Sequence, residues 1–387
     1  MQCDYFDAGR CRSCTFMGVP YAEQLADKQR VVADVLAGHV PEDAWLDPRP
    51  SRESEFRNKA KLVVAGTTAA PTFGILDAGG AGVDLRGCGL YEPGLHEAVL
   101  ALAEVVPRLG LQPYDVRGRQ GELKHLLVTH SPTGELMVRF VLRSTNQLGR
   151  LRRGVPVLLE ALPQIRVLSA NLQPRHAAVL EGDEEILLSE ADTLPMPVAG
   201  VTLHLGTRSF FQTNTTVAES LYAQAGDWIL DAQAGRLWDL YCGVGGFALH
   251  AADRAHSSGR SIQVLGIEVS PEAISSARRS ADELGLGTAR FIDGDATSLA
   301  LEADSRPDVV VVNPPRRGIG GPLARWLEES PASTVVYSSC NPATLARDLA
   351  DMPSWQVTAA RLFDMFPQTA HAEVLVRLQR RLLVRAL

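Results

Sequence analysis

A cysteine that could act as a nucleophile, Cys340, lies in the stretch 335–342, after an apolar run and two serines. The apolar, β-branched run predicts a buried strand, while Asn341 and Pro342 suit the N-cap and first position of a helix. The positive end of a helix dipole lowers the pKa of a nearby thiol, which favours the nucleophilic thiolate. Free cysteine is also among the residue types most often buried for packing alone. The stretch by itself is therefore compatible with a catalytic or a structural thiol.

A second group of cysteines has the spacing of metal ligands. Cys3, Cys11 and Cys14 form the pattern C-x7-C-x2-C, and Cys88 follows much later. Four thiolates complete the shell of a structural zinc ion or of an iron–sulfur cluster. Zinc sites more often show two C-x2-C pairs, and this sequence has one. Spacing alone leaves iron–sulfur, zinc and four unrelated reduced thiols open.

Polar and glycine residues follow several predicted strands of the C-terminal half. Ligands bind outside the carboxyl ends of the strands in open α/β sheets, so residues at such ends converge on one site. These residues are Asp239 and the glycine-rich turn 242–247 at the end of the first strand, Glu268 at the end of the second, Asp295 after the third, Asn313 after the fourth and Cys340 after the fifth. Their shared position, more than any single motif, predicts a functional site.

The glycine-rich turn fits the loose G-x-G-x-x-G/A nucleotide pattern, which NAD enzymes share. Glu268 could accept hydrogen bonds from both ribose hydroxyls of either cofactor. Three features favour S-adenosylmethionine over NAD. Asp239 could bind the methionine ammonium, the Asn-Pro-Pro-Arg loop beginning at Asn313 presents a polar tip, and hydride transfer has no evident use for Cys340.

The elements that must position these residues alternate regularly from Arg236 onwards. Apolar strands that alternate with helices predict a parallel, doubly wound sheet. The predicted strands are 237–241, 263–267, 289–292, 309–312, 334–337, 355–363 and 373–378, with helices predicted at 216–230 and 271–284.

The N-terminal half reads as a mixed α+β module. A helix is predicted at 21–36, where we expect it to pack beside the cysteines, and a strand at 56–64 carries three cations on one face. Further strands are predicted at 123–129, 136–142, 167–173 and 177–181. A proline-containing turn at 192–197 predicts a domain boundary, which gives domains 1–195 and 196–387.

Composition sets the broad class of the protein. The chain has 387 residues, of which 45% are apolar and 21% charged, and no apolar run approaches a membrane span. No secretory signal pattern is evident, so we expect a soluble cytoplasmic protein that has no membrane partner. The net charge of −7 does not favour nucleic acid, and any RNA binding must use local basic clusters.

The motifs together resemble the RNA uracil carbon-5 methyltransferase family. The resemblance lies in residues 211–214, 239–247, 313–316, 339–342 and 371–373, in that order. The chain start, with its three cysteines, resembles the short 23S ribosomal RNA subgroup, which is named for modifying uridine 747, carries a 4Fe-4S cluster and has no TRAM domain. The tRNA-modifying members lack the cysteine cluster. Tyr241 departs from the phenylalanine that is frequent in close relatives, a change that should be neutral for stacking.

The resemblance implies an α/β fold: a Rossmann-like class I methyltransferase domain preceded by an α+β iron–sulfur and RNA-binding domain. It implies a nucleophile that adds to uracil carbon 6, a base that removes the carbon-5 proton, and 23S ribosomal RNA as partner of a monomeric enzyme. By resemblance the nucleophile is Cys340, the base Glu373, the S-adenosyl-L-methionine ligands Gln212, Tyr241, Glu268 and Asn313, and the 4Fe-4S ligands Cys3, Cys11, Cys14 and Cys88.

Two further residues carry weaker expectations. Asp295 is expected on the adenine side of the cofactor, and Arg316 either holds the uracil or its phosphate or is a helix-start cation. The expected base is ionised near the cofactor's sulfonium. Alternatives are 5-methyluridine formation at another rRNA or tRNA site, an NAD-linked iron–sulfur oxidoreductase, an amino-group methyltransferase and a non-catalytic RNA-binding module.

Overall fold

The computed structural model describes residues 1–233, 235–302 and 306–381. The chain forms two compact units. Unit 1 contains Met1–Gly18, Arg52–Pro197 and Leu205–Thr207, and begins with the short helix α1 (Asp4–Asp7). Unit 2 contains Val19–Ser51, Val198–His204 and the chain from Arg208 onwards.

The two units differ from the expected division into 1–195 and 196–387 in one large segment. Val19–Ser51, with helix α2 (Tyr21–Leu36), belongs to unit 2. The physical reason is that α2 buries Val32 and Leu36 in the core of unit 2. The helix itself matches its predicted bounds, and the prediction that it packs beside the cysteines stays a prediction.

Unit 1 is built on a seven-stranded sheet, and its strand order is β3-β2-β1-β4-β5-β6-β7. Only the β5–β6 pair is parallel. Helices α3 (Pro93–Val105) and α4 (Leu148–Ala161) contribute to a core with the apolar side chains of the sheet. The strands are β1 (Lys59–Gly66), β2 (Pro71–Leu76), β3 (Gly82–Asp84), β4 (Leu123–His130), β5 (Leu136–Leu142), β6 (Ile165–Leu172) and β7 (Glu184–Leu187).

The strand predicted at 177–181 is wrong, because the chain there forms a loop and the edge strand β7 begins later. The Asn171 side chain on β6 accepts from Gly182 N at 2.7 Å and donates to Gly182 O at 3.1 Å. The Asn171 side chain thus satisfies the N–H and C=O groups of Gly182, which would otherwise be free to begin the backbone pairing with β6 earlier in the chain. The segment 192–197 is also not a turn, since β8 (Thr193–Val198) and β9 (Val201–Gly206) form a hairpin.

Unit 2 has a second seven-stranded sheet, and its strand order is β12-β11-β10-β13-β14-β16-β15. The first five strands in this order are parallel, and β16 is antiparallel to both of its neighbours. The predicted mostly parallel sheet is confirmed. The strands are β10 (Arg236–Leu240), β11 (Gln263–Glu268), β12 (Ala289–Asp293), β13 (Val309–Val312), β14 (Thr334–Ser339), β15 (Trp355–Phe363) and β16 (Glu373–Arg380).

Helices connect the strands of unit 2. They are α5 (Thr215–Asp231), α6 (Gly246–Ser257), α7 (Pro271–Glu283), α8 (Ala296–Glu302), α9 (Gly320–Glu329) and α10 (Pro342–Ala350). The strand order reverses between β10 and β13, and such a switch point is where doubly wound sheets bind ligands. Within the described ranges, no helix is both long and apolar enough to cross a membrane.

Candidate active site

The loop after β10 is shaped for close approach of a ligand. Tyr241 has φ 68°, a left-handed conformation that is uncommon for a residue with a side chain, and Gly243 and Gly245 have φ 55° and 86°. A Cβ added to Gly245 would lie 2.9 Å from Leu249 Cδ1, so that side of the loop is filled. A Cβ added to Gly243 would meet no heavy atom within 4 Å. The loop therefore presents backbone to open space at Gly243.

Glu268 lies at the end of β11, beside this loop. Gly243 N donates to Glu268 Oε2 at 3.2 Å, and Ser270 N donates to Oε1 at 3.1 Å. The half-buried carboxylate is thus fixed against the open side of the glycine turn, where it can still accept from ribose hydroxyls. Tyr241 is half-buried too, and burial, with the charge of Asp295, raises the pKa of its phenol.

Asp239 is fully buried under the same loop. Its Oδ2 accepts from Ala248 N at 3.0 Å, whereas Oδ1 has no hydrogen-bond partner among the described residues. Burial, and to a smaller extent the charge of Glu268, raises the pKa of this carboxyl to about 8. A buried acceptor without a donor is costly, and a ligand that brings a cationic donor would satisfy it. Asp239, Gly243 and Glu268 therefore fit an S-adenosyl cofactor.

Cys340 lies between β14 and α10, as the sequence predicted. The Asn341 side chain caps the helix by accepting from Ala343 N at 3.2 Å. The expected lowering of the thiol pKa is not observed. Burial and the charge of Glu373 raise the pKa of Cys340 and outweigh the opposite effect of Arg316.

The loop after β13 is held against the start of α10. Asn341 Nδ2 and Thr344 Oγ1 donate to Arg316 O at 3.1 and 3.2 Å. Asp348, which is fully buried on α10, accepts from Ile319 N at 2.8 Å and from the Tyr337 hydroxyl at 2.7 Å. The Arg316 side chain hydrogen-bonds Cys340 and favours its thiolate. This position beside Cys340 favours the expectation that Arg316 holds the uracil or its phosphate over a role as a helix-start cation.

Glu373 begins β16 and faces Cys340 by the register of the sheet. Ser339 pairs with Val374 and Ser338 with Leu375, so the next antiparallel pair outward is Cys340 opposite Glu373. Opposite residues of an antiparallel pair project to the same face. The influence of the Glu373 charge on the Cys340 pKa agrees with this proximity.

The Glu373 carboxyl group is almost completely buried, with 3% exposure. Burial raises its pKa to about 7, while a hydrogen bond from the Ser338 hydroxyl to Oε1 favours the ionised form. The carboxyl pKa therefore lies well above its ordinary value in the protein without cofactor, and the expectation that the base is ionised beside the cofactor's sulfonium stays a prediction. Ser338 was not singled out from the sequence, because its orientation depends on the pairing of β14 with β16.

The other expected cofactor residues also lie in unit 2. Gln212 is buried in the segment before α5, and Asn313 follows β13 and is half-buried. Asp295 is exposed at the start of α8, where its Oδ1 accepts from Ser298 N at 2.9 Å. The hydrogen bonds that Asp295 accepts lower the pKa of its carboxyl group. They are the bonds expected of a residue that caps the start of α8.

The four N-terminal cysteines all lie in unit 1 as half-buried free thiols. Burial raises the pKa of Cys14 to about 11, and the charges of Cys88, Cys11 and Cys3 add to the shift. The fold thus brings the four thiols within electrostatic influence of one another, which suits a four-thiolate ligand set. No group of three or more potential ligands among the described residues has the arrangement of a metal site.

Comparison with known proteins identifies the family. Residues 191–381 match the family model described as tRNA (Uracil-5-)-methyltransferase. A protein of Halothiobacillus neapolitanus named 23S rRNA (uracil(747)-C(5))-methyltransferase RlmC is 49% identical over 384 residues, which cover 98% of this chain and 100% of that protein. The protein of the same name from Yersinia pseudotuberculosis is 47% identical over 379 residues, 98% of this chain and 99% of its own.

A solved structure shows the same fold. The crystal structure of Pyrococcus abyssi tRNA (uracil-54, C5)-methyltransferase in complex with S-adenosyl-L-homocysteine aligns with a TM-score of 0.80 at 24% identity, and covers 95% of this chain and 84% of that chain. The relatives share almost half of their residues with this chain over nearly its whole length. The chain therefore belongs to the RNA uracil carbon-5 methyltransferase family, as its motifs predicted.

Proposed function

We propose that this protein methylates carbon 5 of one uridine in 23S ribosomal RNA, the uridine that its relatives' names give as 747, to form 5-methyluridine. The observation that carries the proposal is the pairing of Cys340 with Glu373 on one face of unit 2. A thiol and a carboxylate that influence each other electrostatically on one face of a sheet suit addition to a pyrimidine and later proton removal.

Uracil carbon 5 is too weak a nucleophile to attack a methyl donor unaided. S-adenosylmethionine, when bound, supplies an electrophilic methyl group. The Cys340 thiolate would add to carbon 6, and the electron pair displaced towards carbon 5 would form the bond to the methyl carbon while the bond from that carbon to the sulfonium sulfur breaks and S-adenosylhomocysteine leaves. Glu373 then takes the carbon-5 proton, the carbon 5–carbon 6 double bond re-forms, and the sulfur leaves as thiolate. Arg316 stabilises that thiolate through its hydrogen bond.

The cofactor would be held by the residues around the glycine loop. We assign the ribose to Glu268 and the methionine ammonium to Asp239, whose Oδ1 lacks a donor among the described residues. Gln212, Tyr241 and Asn313 complete the proposed set. A uridine must leave its base stack to reach such a site, so the reaction requires base flipping.

We further propose that Cys3, Cys11, Cys14 and Cys88 hold a 4Fe-4S cluster. The support is four free thiols in one unit, each of the other three raising the pKa of Cys14. Methyl transfer needs no electron transfer, so the cluster's role is structural: it ties the chain start to the turn at Cys88. Anaerobic purification with iron, sulfide and zinc analysis tests this. Zinc at one equivalent without sulfide would contradict it.

The chemistry is tested by trapping the covalent intermediate. Glu373→Gln leaves the thiol but removes the base. With substrate RNA and S-adenosylmethionine we therefore expect a covalent protein–RNA adduct that carries the methyl group and survives denaturing electrophoresis. Cys340→Ser should form none and should lose methyl transfer. Glu329→Gln, an exposed carboxylate on α9, is the matched control. A fully active Cys340→Ser variant, as an amino-group methyltransferase would show, would overturn the mechanism.

The target is tested separately in cells. Mass-spectrometric mapping of ribosomal RNA from cells that lack this protein should show loss of one 5-methyluridine in 23S RNA and its return on complementation. Loss of the mark at another rRNA position or in tRNA would correct the substrate without changing the chemistry.

A further inference from the structure

Unit 1 contains a cavity of about 600 Å3 that the proposed methyl transfer does not use. Pockets for small organic ligands have volumes of roughly 300–1,000 Å3. The lining combines apolar side chains, including Val63, Leu76 and Val116, with Tyr114, Lys124 and His125. All lining residues belong to unit 1, whereas Cys340 and Glu373 belong to unit 2.

An irregularity in β4 brings two polar side chains to this cavity. Consecutive residues of a regular strand point to opposite faces of the sheet. The pairing of β4 with β5 shifts between Leu123 and His125, so Lys124 is an extra residue on β4. Both Lys124 and His125 consequently line the cavity. Bulges of this kind commonly redirect side chains at functional sites.

His125 gives the cavity an unused hydrogen-bonding group. Its Nδ1 is buried and has no hydrogen-bond partner among the described residues. Burial lowers the pKa of this imidazole to about 4, and the charge of Lys124 adds to the lowering. The ring is therefore neutral at physiological pH and offers one donor and one acceptor. The imidazole therefore brings a neutral polar ring to the lining of the cavity.

Tyr114 supplies an aromatic surface whose position is fixed on two sides. Its hydroxyl hydrogen-bonds His176 Nδ1 at 2.9 Å, and Lys124 Nζ lies 4.7 Å from the ring centroid. Lys124 in turn donates to Arg175 O at 2.7 Å. Lys124 and the exposed Arg117, next to the lining residue Val116, bring positive charge to the cavity, while the carboxylate of Glu181 acts on His125 with the opposite sign.

We propose that this cavity binds one unpaired nucleobase of the RNA substrate, a nucleotide other than the uridine that is methylated. A flat ring matches the apolar walls and the rings of Tyr114 and His125 that line the cavity, and Lys124 and Arg117 supply positive charge for the anionic backbone that accompanies it. Proteins recognise RNA loops in this way, by taking splayed bases into pockets and stacking them on aromatic side chains. The inference rests on the RNA substrate proposed above and adds a second anchoring point to it.

Filling the cavity is the direct test. Val116→Trp places a large side chain at the rim, and Val157→Trp on α4 is its matched control, since both valines are 37% exposed and only Val116 lines the cavity. His125→Leu removes the free imidazole nitrogen without adding bulk and guards against a folding defect in the first variant. Thermal melting and S-adenosylmethionine binding establish that each variant is folded.

The probe is a hairpin RNA that the wild-type protein methylates, together with versions in which one loop nucleotide at a time is abasic. Affinity is measured by fluorescence anisotropy at one fixed salt concentration, because phosphate contacts depend on salt. We expect one abasic position, distinct from the target, to weaken wild-type binding about tenfold, as loss of one stacked base does. Val116→Trp and His125→Leu should bind the intact hairpin more weakly than the wild type does. Making that position abasic should reduce their RNA affinity little further, whereas Val157→Trp should behave like wild type.

The outcomes separate this proposal from the proposed function. If the wild type methylates the hairpin but neither variant changes the effect of any abasic position, the nucleobase assignment is overturned and the methyltransferase assignment remains. Unchanged RNA affinity with a filled cavity has the same meaning and indicates another class of occupant. A wild-type protein that neither binds nor methylates ribosomal RNA overturns both.

Discussion

Cys340 and Glu373 are both held in surroundings that favour their protonated forms. Burial raises the pKa of the thiol above its ordinary 9.0 and that of the carboxyl to about 7, and each negative charge would disfavour the other. A cation next to the pair stabilises both ionised forms. In the proposed mechanism the sulfonium of the methyl donor would be such a cation, which would couple binding of the donor electrostatically to activation of the nucleophile.

Ser338 is a positioning residue for the base, and its removal has a predictable effect on the pH profile. Its hydroxyl donates to Glu373 Oε1 and favours the carboxylate. Ser338→Ala should therefore raise the Glu373 pKa and move the acidic limb of the methyl-transfer rate to higher pH, with a roughly three- to tenfold loss near pH 7. Single-turnover rates from pH 5.5 to 9 measure this.

The control for this variant is Ser330→Ala, a buried serine whose hydroxyl donates to Leu327 O at 2.9 Å, outside the site. It should leave the profile unchanged. An acidic limb at the same pH in wild type and Ser338→Ala would contradict the assigned role, even if the rate fell at every pH.

Asp239 should impose a pH dependence on stability. Its pKa is about 8 in the fold against the usual 3.8 of an aspartate, so between these pH values the unfolded chain has released a proton that the folded chain keeps. The free energy of unfolding should therefore fall as pH rises from about 4 to 8. Asp239→Asn keeps an acceptor for Ala248 N and cannot ionise, so it should be more stable than wild type at pH 9 by on the order of a few kcal/mol.

Urea unfolding at pH 5 and pH 9 tests this, with Asp293→Asn at an exposed position as control. The same Asp239→Asn variant should bind S-adenosylmethionine roughly tenfold or more weakly, since an amide cannot ionise to balance the charge of the incoming ammonium. If Asp239→Asn is destabilised equally at both pH values, ionisation of the buried Asp239 carboxyl group does not lower the stability of the wild type at high pH.

At the scale of elements, local patterns in the sequence predicted most of unit 2. The five parallel strands, the glycine turn and the Asn341-capped helix each follow from a short run of residues. Pairing across the sheet could not be predicted, because it depends on contacts between distant segments. Thus β16 lies between β14 and β15, which places Glu373 opposite Cys340 and turns Ser338 towards it.

Long-range contacts also explain the segment that the sequence misplaced. Lys28 on α2 forms a buried ion pair with Asp364, 2.6 Å from Nζ to Oδ1, and Nζ also donates to the carbonyls of Phe366 and His371. Both side chains are almost fully buried, at 1% and 0% exposure. The helix thereby fixes the chain that leads from β15 to Glu373. No periodicity in 21–36 reveals this partner, since it is more than three hundred residues away.

Breaking this pair should destabilise unit 2 and disturb the base. Lys28→Met leaves the Asp364 carboxylate buried without its cation, which costs about 3–5 kcal/mol in unfolding free energy. Combining it with Asp364→Asn removes the uncompensated charge and should recover a substantial part of that loss. Urea unfolding of the two single variants and the double variant gives the coupling. If the loss of unfolding free energy in the double variant equals the sum of the losses in the two single variants, the result would contradict a buried ion pair.

At the scale of the whole molecule, the four cysteines lie on both sides of a long segment of chain that belongs to unit 2. Cys3, Cys11 and Cys14 precede Val19–Ser51, which belongs to unit 2, and Cys88 follows the return of the chain to unit 1. A cluster bound to all four thiols would tie the chain start to unit 1 across this excursion. Linking distant points lowers the entropy of the unfolded chain and so stabilises the fold.

Loss of the proposed cluster should therefore affect the units unequally. Cys88→Ser should lower the iron content and make residues 1–18 the first site of limited proteolysis, with a stability loss on the order of several kcal/mol. S-adenosylmethionine binding should persist, because its proposed ligands all belong to unit 2. Cys340→Ser, a thiol outside the group, should keep its iron and serves as control. Equal proteolysis of wild type and Cys88→Ser would contradict the structural role, since a cluster that ties the chain start must protect it.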